Sequence, residues 1–125
     1  MSDDEFDYDG LMQANLRRVF SEADAQARSQ AISQLYAPDA VLYEPGHIAT
    51  GHAEIANTVD TLVRSFPPGF AFVAEGPAVG HHGLGRLRWR GGLPGQPAAV
   101  TGTDVARLEG GIIKTIHVFI DPPAA

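Results

Sequence analysis

The sequence contains no cysteine, which excludes a disulfide framework, a thiolate nucleophile and any cysteine-based zinc or iron–sulfur site. It has no apolar run near the ~20 residues that cross a bilayer. The longest greasy stretch, Ile112 to Ile120, is broken by Lys114 and His117. The opening MSDDEFDYD places five acids in nine residues and has neither the basic start nor the apolar centre of a signal peptide. Positive charge is in deficit, with a formal net charge of −6, which disfavours partners held by neutralising phosphates. No nucleic acid and no membrane is expected as a partner, and a soluble, cytoplasmic protein is the expectation. G-x-S-x-G, the P-loop, G-x-G-x-x-G, H-x-x-x-H and H-x-x-E-H are all missing, so serine hydrolase, NTPase, dinucleotide and metal readings lack support. Neither a cofactor nor a metal is expected.

What is present is enough for one core: 125 residues, 44% hydrophobic and 19% charged, the size and balance of a single domain. Residues 1–10 read as an acidic flexible tail, 11–121 as the domain and 122–125 as a short C-terminal tail. From Leu11 the positions Met12, Leu16, Val19, Phe20 and Ala23 recur at helical spacing, and Ala27, Ala31, Ile32, Leu35 and Tyr36 continue it. Two helices, or one bent one, are predicted, with Ser21 and Asp24 as caps and Pro38 ending the run. DAVLYE, residues 39–44, reads as a strand stopped by Pro45-Gly46, followed by a loop. A third helix opens at Thr50-Gly51, carries the stripe Ile55, Val59, Leu62, Val63 and Phe66, and stops at Pro67-Pro68-Gly69. Four strands follow, FAFVAEGPAV, LGRLRWR, AAVTGTDVARLE and IIKTIHVFID, joined by Gly- and Pro-rich turns. Helices first and strands afterwards predicts an α+β fold with a meander of antiparallel strands.

Strand alternation sorts the candidate residues. In VTGTDVARLE, the positions Val100, Gly102, Asp104, Ala106 and Leu108 share one face, inward by composition, so Asp104 is its one ionisable group. Such a carboxyl either finds a partner or keeps its proton. Arg86, Arg88 and Arg90 share a face that reads as solvated, which turns Leu87 and Trp89 inward. Trp89, Phe70 and Phe72 are expected as pocket wall, with Gly85, Gly102 and Ala106 leaving room beside them. On the last strand Ile116, Val118 and Ile120 oppose His117, Phe119 and Asp121. If the apolar set lines the pocket, His117 and Asp121 look outward. His81-His82 reads as a turn, not a metal site.

The phrases LYAPDAVLYEPG, TGHAEI, FPPGF and TGTDVARLEGGIIKTIHVFID, over roughly residues 11 to 121, resemble the NTF2-like superfamily, and within it the SnoaL-like polyketide cyclase and ketosteroid isomerase branch. The resemblance implies a cone-shaped, cystatin-like fold: a curved, mostly antiparallel sheet wrapped around the N-terminal helices, with a pocket at one end. It implies Glu44, directly before Pro45, as general base, with glutamate where the isomerase pattern has aspartate. It implies Asp104 as an acid that donates to a developing oxyanion, and Asp121 as the acid that SnoaL-type cyclases carry near the end of this strand. Tyr43, Phe70, Phe72, Trp89, Ile116 and Val118 are the expected substrate-binding set. The tyrosine that this pattern carries in the first helix is missing; Asn15 or Leu16 stands at its place. The expected function is cofactor-independent acid–base chemistry on an apolar carbonyl-type small molecule. The alternatives are a non-catalytic binding or interaction module, and an epoxide-hydrolase-like activation of water that needs an arginine in the pocket. Apolar groups on the outer sheet face, Val105 and Phe119 among them, predict a homodimer.

Overall fold

The computed structural model describes residues 7–123. Asp7 caps the first helix, its carboxylate accepting from the Gly10 N–H, so α1 (Tyr8–Asn15) starts earlier than Leu11 and claims Tyr8 to Gly10 from the expected tail. A π turn (Leu16–Phe20) continues it, buries Leu16, Val19 and Phe20, and ends the helix. Such wide turns recur at functional sites. Asp24 caps α2 (Ala25–Leu35) by accepting from the Ala27 N–H. Ser21 does something else: its hydroxyl accepts from the Phe72 N–H at 2.9 Å and donates to the Phe72 carbonyl at 3.1 Å. The helix end is thereby fastened to β3 (Ala71–Ala74).

β1 (Tyr36–Glu44) begins directly after α2, earlier than the expected Asp39. Pro38, which has no N–H to give a ladder, falls where the pairing of β1 with β7 (Ile112–Ile120) shifts register. Pro45-Gly46 then makes a two-residue hairpin, with Gly46 at a φ of +77°. The expected loop is instead β2 (His47–Thr50), which pairs back on β1 through Glu44 opposite His47. Proline's fixed φ at the first corner and glycine's positive φ at the second suit a tight turn between the two strands. At α3 (Gly51–Arg64) the Thr50 N–H is capped by the Glu54 carboxylate at 2.9 Å.

The expected strand at 70–79 is two strands, β3 and β4 (Val79–His81), both on β5 (Leu84–Gly92). Gly76, at a φ of +83°, and Pro77 break the ladder between them. The sheet order is β2-β1-β7-β6-β5-β3, where β6 is Val100–Glu109. All pairs are antiparallel except β1 with β7. The helices lie on one face, and the core between them centres on Val19, Ile32, Leu42, Ile55, Val59 and Ile116. Inside the domain a buried cation links α2 to α3: Arg28 donates to Asp60 at 2.6 Å and to the Glu22 carbonyl. No helix among the described residues is long and apolar enough to cross a membrane.

Candidate functional site: an apolar pocket with two acids

Burial along β6 follows the predicted alternation: Gly102, Asp104, Ala106 and Leu108 are buried while Arg107 and Glu109 are exposed. On β5 the three arginines are exposed, and Leu87 and Trp89 are buried. Gly102 sits opposite Trp89, and a Cβ there would lie 2.5 Å from the indole ring and against the Phe119 carbonyl. The missing side chain is therefore what lets the indole lie across β6. At Gly85 the space is taken by the Met12 sulfur and the Tyr8 ring. The small residues accordingly serve close packing, and the expected room beside them is filled.

The cavity lies nearer the helix ends, with a volume of about 250 Å³. Leu16 and Phe20 of the π turn, Leu62 of α3 and Phe66 form one side; Phe72, Trp89, Val100 and Ile120 form the other, with the carboxyls of Glu44 and Asp104. The aromatic wall is interlocked: Phe72 meets Trp89 edge to face at 5.2 Å and Phe66 at 5.8 Å. Ser21, by holding the Phe72 backbone, fixes that wall.

Asp104 is 4% exposed. The Trp89 indole N–H donates to its Oδ1 at 2.9 Å, which leaves Oδ2 for the proton. Burial pushes its pKa up to about 7, the indole bond pulls the other way, and the Glu44 charge adds to the rise. Glu44, half-buried at the end of β1, is also raised by burial, with His47 opposing. Each acid is therefore easier to protonate than in water, and neither has a cationic side chain beside it in the lining of the pocket.

The remaining sequence candidates fall elsewhere. Asp121, expected as a catalytic acid, lies past the end of β7, where it accepts from Arg88 and Thr101, both at 2.6 Å. These two bonds hold it below its ordinary pKa, so it is an ionised partner of the arginine face, not a pocket acid. Tyr43 is turned outward and stacks on His117 with ring centres 4.3 Å apart, so it is not pocket wall. Phe70 stacks on Phe66 at 3.9 Å, one layer behind the lining. Ile116 is buried in the core, and Val118, opposite Asp104 on the next strand, packs against that core; neither lines the cavity. Leu16, Phe20, Leu62 and Phe66 were legible only as helix stripes. Their position at the helix ends, where the cone opens, is what makes them lining. His81 and His82 meet through their Nδ1 atoms at 2.9 Å in the exposed β4–β5 turn. No group of three or more metal-capable side chains occurs among the described residues.

Asn15 is buried, and its Oδ1 accepts a 2.6 Å bond from the phenol of Tyr36. Burial, and then the Asp104 charge, raise the phenol above its ordinary pKa. A neutral tyrosine thus does stand near Asp104, but it enters from β1 and its proton is given to Asn15.

The SnoaL-like domain family model matches residues 16–116. The chain belongs to the SnoaL-like family. Among solved structures it is similar to a candidate isomerase of that family from Agrobacterium tumefaciens, with 28% identity, a TM-score of 0.84 and coverage of 92% of this chain and 97% of that one. A candidate ketosteroid isomerase from Kribbella flavida shares 14% identity at a TM-score of 0.70, covering 100% and 87%. A candidate polyketide cyclase from Sinorhizobium meliloti shares 22% at 0.63, covering 87% and 93%. At those identities the last two show the fold alone, the NTF2-like cone, also termed cystatin-like. No curated protein matches the chain in sequence.

Proposed function

We propose that this SnoaL-like protein is a cofactor-independent acid–base enzyme, of isomerase or cyclase type, acting on a small apolar carbonyl compound. One observation carries the reading: two carboxyls of raised pKa share a single apolar pocket, with no lysine or arginine in its lining among the described residues. Ionised Glu44 takes a proton from the carbon next to the carbonyl. The electron pair of that C–H bond becomes the enolate double bond, and negative charge gathers on the carbonyl oxygen. Asp104, protonated on Oδ2, donates a hydrogen bond to that oxygen. Where the enolate is conjugated with a second double bond, Glu44 returns the proton to its far carbon, which isomerises the substrate; alternatively the enolate carbon attacks a second carbonyl, whose oxygen takes up the proton from Glu44 as the ring closes. The same reading includes a homodimer joined through the outer sheet face.

The test is hydrogen–deuterium exchange next to the carbonyl in a panel of small cyclic ketones, followed by NMR in heavy water. Wild type accelerates exchange for at least one ketone. Glu44→Gln loses on the order of 100-fold or more, and Asp104→Ala a comparable factor. Exchange at the wild-type rate in both variants overturns the mechanism.

A non-catalytic binding module is the second reading, favoured by Tyr36, whose phenol is committed to Asn15 and leaves Asp104 as the one oxyanion donor in the lining. It expects ligand binding with no exchange above background. The water-activating reading required a guanidinium in the pocket. With none in the lining, it is not carried further.

A further inference from the structure

At about 250 Å³ the apolar pocket falls below the ~300–1,000 Å³ in which proteins hold drug-sized ligands. A second cavity, of about 550 Å³, shares Glu44 and Leu62 with it and runs along α3. The depressions near the β5–β6 connection and beside β4 share no residue with the pocket. Of these, the α3 groove is the one that adjoins the pocket, so a ligand that extends past Glu44 and Leu62 enters it.

The rest of that groove is His47, Asn57, Thr58, Thr61 and Ser65. Asn57, Thr58 and Thr61 of α3 and its C-cap Ser65 follow helical spacing along one side, while Ile55 and Val59 bury the other. None carries a fixed positive charge, and Glu44 is the one acid. The hydroxyl hydrogens of Thr61 and Ser65 are given to the Asn57 and Leu62 carbonyls, and Thr58 is engaged with the His47 ring at 3.0 Å. With their hydrogens committed, the oxygens of Thr61 and Ser65, which line the groove, retain lone pairs and can accept from a ligand's O–H or N–H groups.

We propose that the substrate site has two parts, an apolar pocket for a small ring ketone and the α3 groove for a neutral, hydroxyl-bearing extension of the same molecule. This rests on the pocket being a ligand site, as in the function proposed above. It specifies the substrate class: uncharged, apolar at the reacting end and hydrogen-bond-donating at the other. An anionic tail finds no lysine or arginine in the groove, only the His47 ring already beside Glu44, and meets the charge of Glu44.

The experiment uses four probes built on 1-tetralone: the parent, and 6-substituted forms carrying a propoxy, a 2,3-dihydroxypropoxy or a carboxypropoxy group. Trp89 is the single tryptophan of the sequence and lines the pocket, so its fluorescence reports occupancy directly. The expected result is that the dihydroxypropoxy probe binds roughly tenfold more tightly than the propoxy probe, and the carboxypropoxy probe more weakly than either. In the Thr61→Val/Ser65→Ala variant the two neutral tails should bind within about twofold of each other, with the parent ketone unchanged. If the parent perturbs Trp89 but the diol brings no gain, or the gain survives in the variant, the groove assignment fails while the pocket stands. If the carboxylate tail binds as tightly as the diol, the neutral substrate class is wrong. If none of the four perturbs Trp89, the pocket reading fails and takes the groove with it.

Discussion

Asp104 holds its carboxyl almost wholly buried at the edge of an apolar pocket, and the cost of charging it there sets two pH dependences. The folded protein keeps a proton, up to a pKa of about 7 against 3.8 for the ordinary group, that the unfolded chain has already lost. Its stabilising contribution is complete below pH ~4 and is lost as the pH rises towards ~7. Thermal melts are expected to show a melting temperature that declines from pH 5 to 8, with a distinctly shallower decline in Asp104→Asn. Glu44 is shifted in the same direction, so some slope survives in that variant. Under the proposed mechanism Asp104 must hold its proton and Glu44 must lose one, so the two titrate as a coupled pair and the exchange rate should fall above pH ~7. Gly102 makes a separate demand: Gly102→Ala puts a methyl into the Trp89 ring and should cost about 1–3 kcal/mol by overpacking, read by denaturant unfolding. At this scale the alternation of β6 placed Asp104 inward from sequence alone. The indole bond to it was not legible, because two inward residues on neighbouring strands meet only once the strand register is known.

Among the elements, the charged contacts divide into one that matters for stability and one that does not. Removing Asp60 strands a buried arginine between α2 and α3, with Arg28 4% and Asp60 31% exposed at the side chain. Asp60→Ala should cost about 2 kcal/mol in urea unfolding. The Arg88–Asp121 pair is 46% and 35% exposed and screened by solvent, so Asp121→Asn should leave both the urea-unfolding midpoint and the activity at the wild-type level. A large loss of activity in that variant would restore Asp121 as a catalytic acid. The order of elements, three helical segments and then the main strands, was legible because stripe and alternation are strong local signals. Where a strand breaks or a hairpin closes depends on single residues: Gly76-Pro77 split one expected strand, and Pro45-Gly46 began a strand where a loop was expected. Asp121 was open to two readings since both faces of β7 are apolar in sequence, and only its neighbours Arg88 and Thr101 decide the side.

For the whole molecule, the outer sheet face carries a row of stacked rings, Tyr43 on His117 and His117 beside Phe119, with Phe119 55% exposed. Covering that row with the same row of a second copy satisfies both at once. Light scattering at micromolar concentration should give twice the 13.3 kDa chain mass, and Phe119→Asp should return the single mass. A wild-type monomer would overturn the dimer.

The one parallel pair in the sheet also decides how the site is assembled. β1 carries Glu44 near the start of the sheet-forming sequence, yet its neighbour on the inner side of the sheet is β7, which lies some seventy residues further along the chain. Without β7, the strip of β1 that faces it would be an open edge, since β2 covers only the other side of β1. Glu44 and Asp104 are brought to the same pocket only when Ile112–Ile120 threads between their strands. Docking of β7 is therefore what assembles the site, and a chain from which β7 has come away exposes a β1 edge open to pairing with other chains.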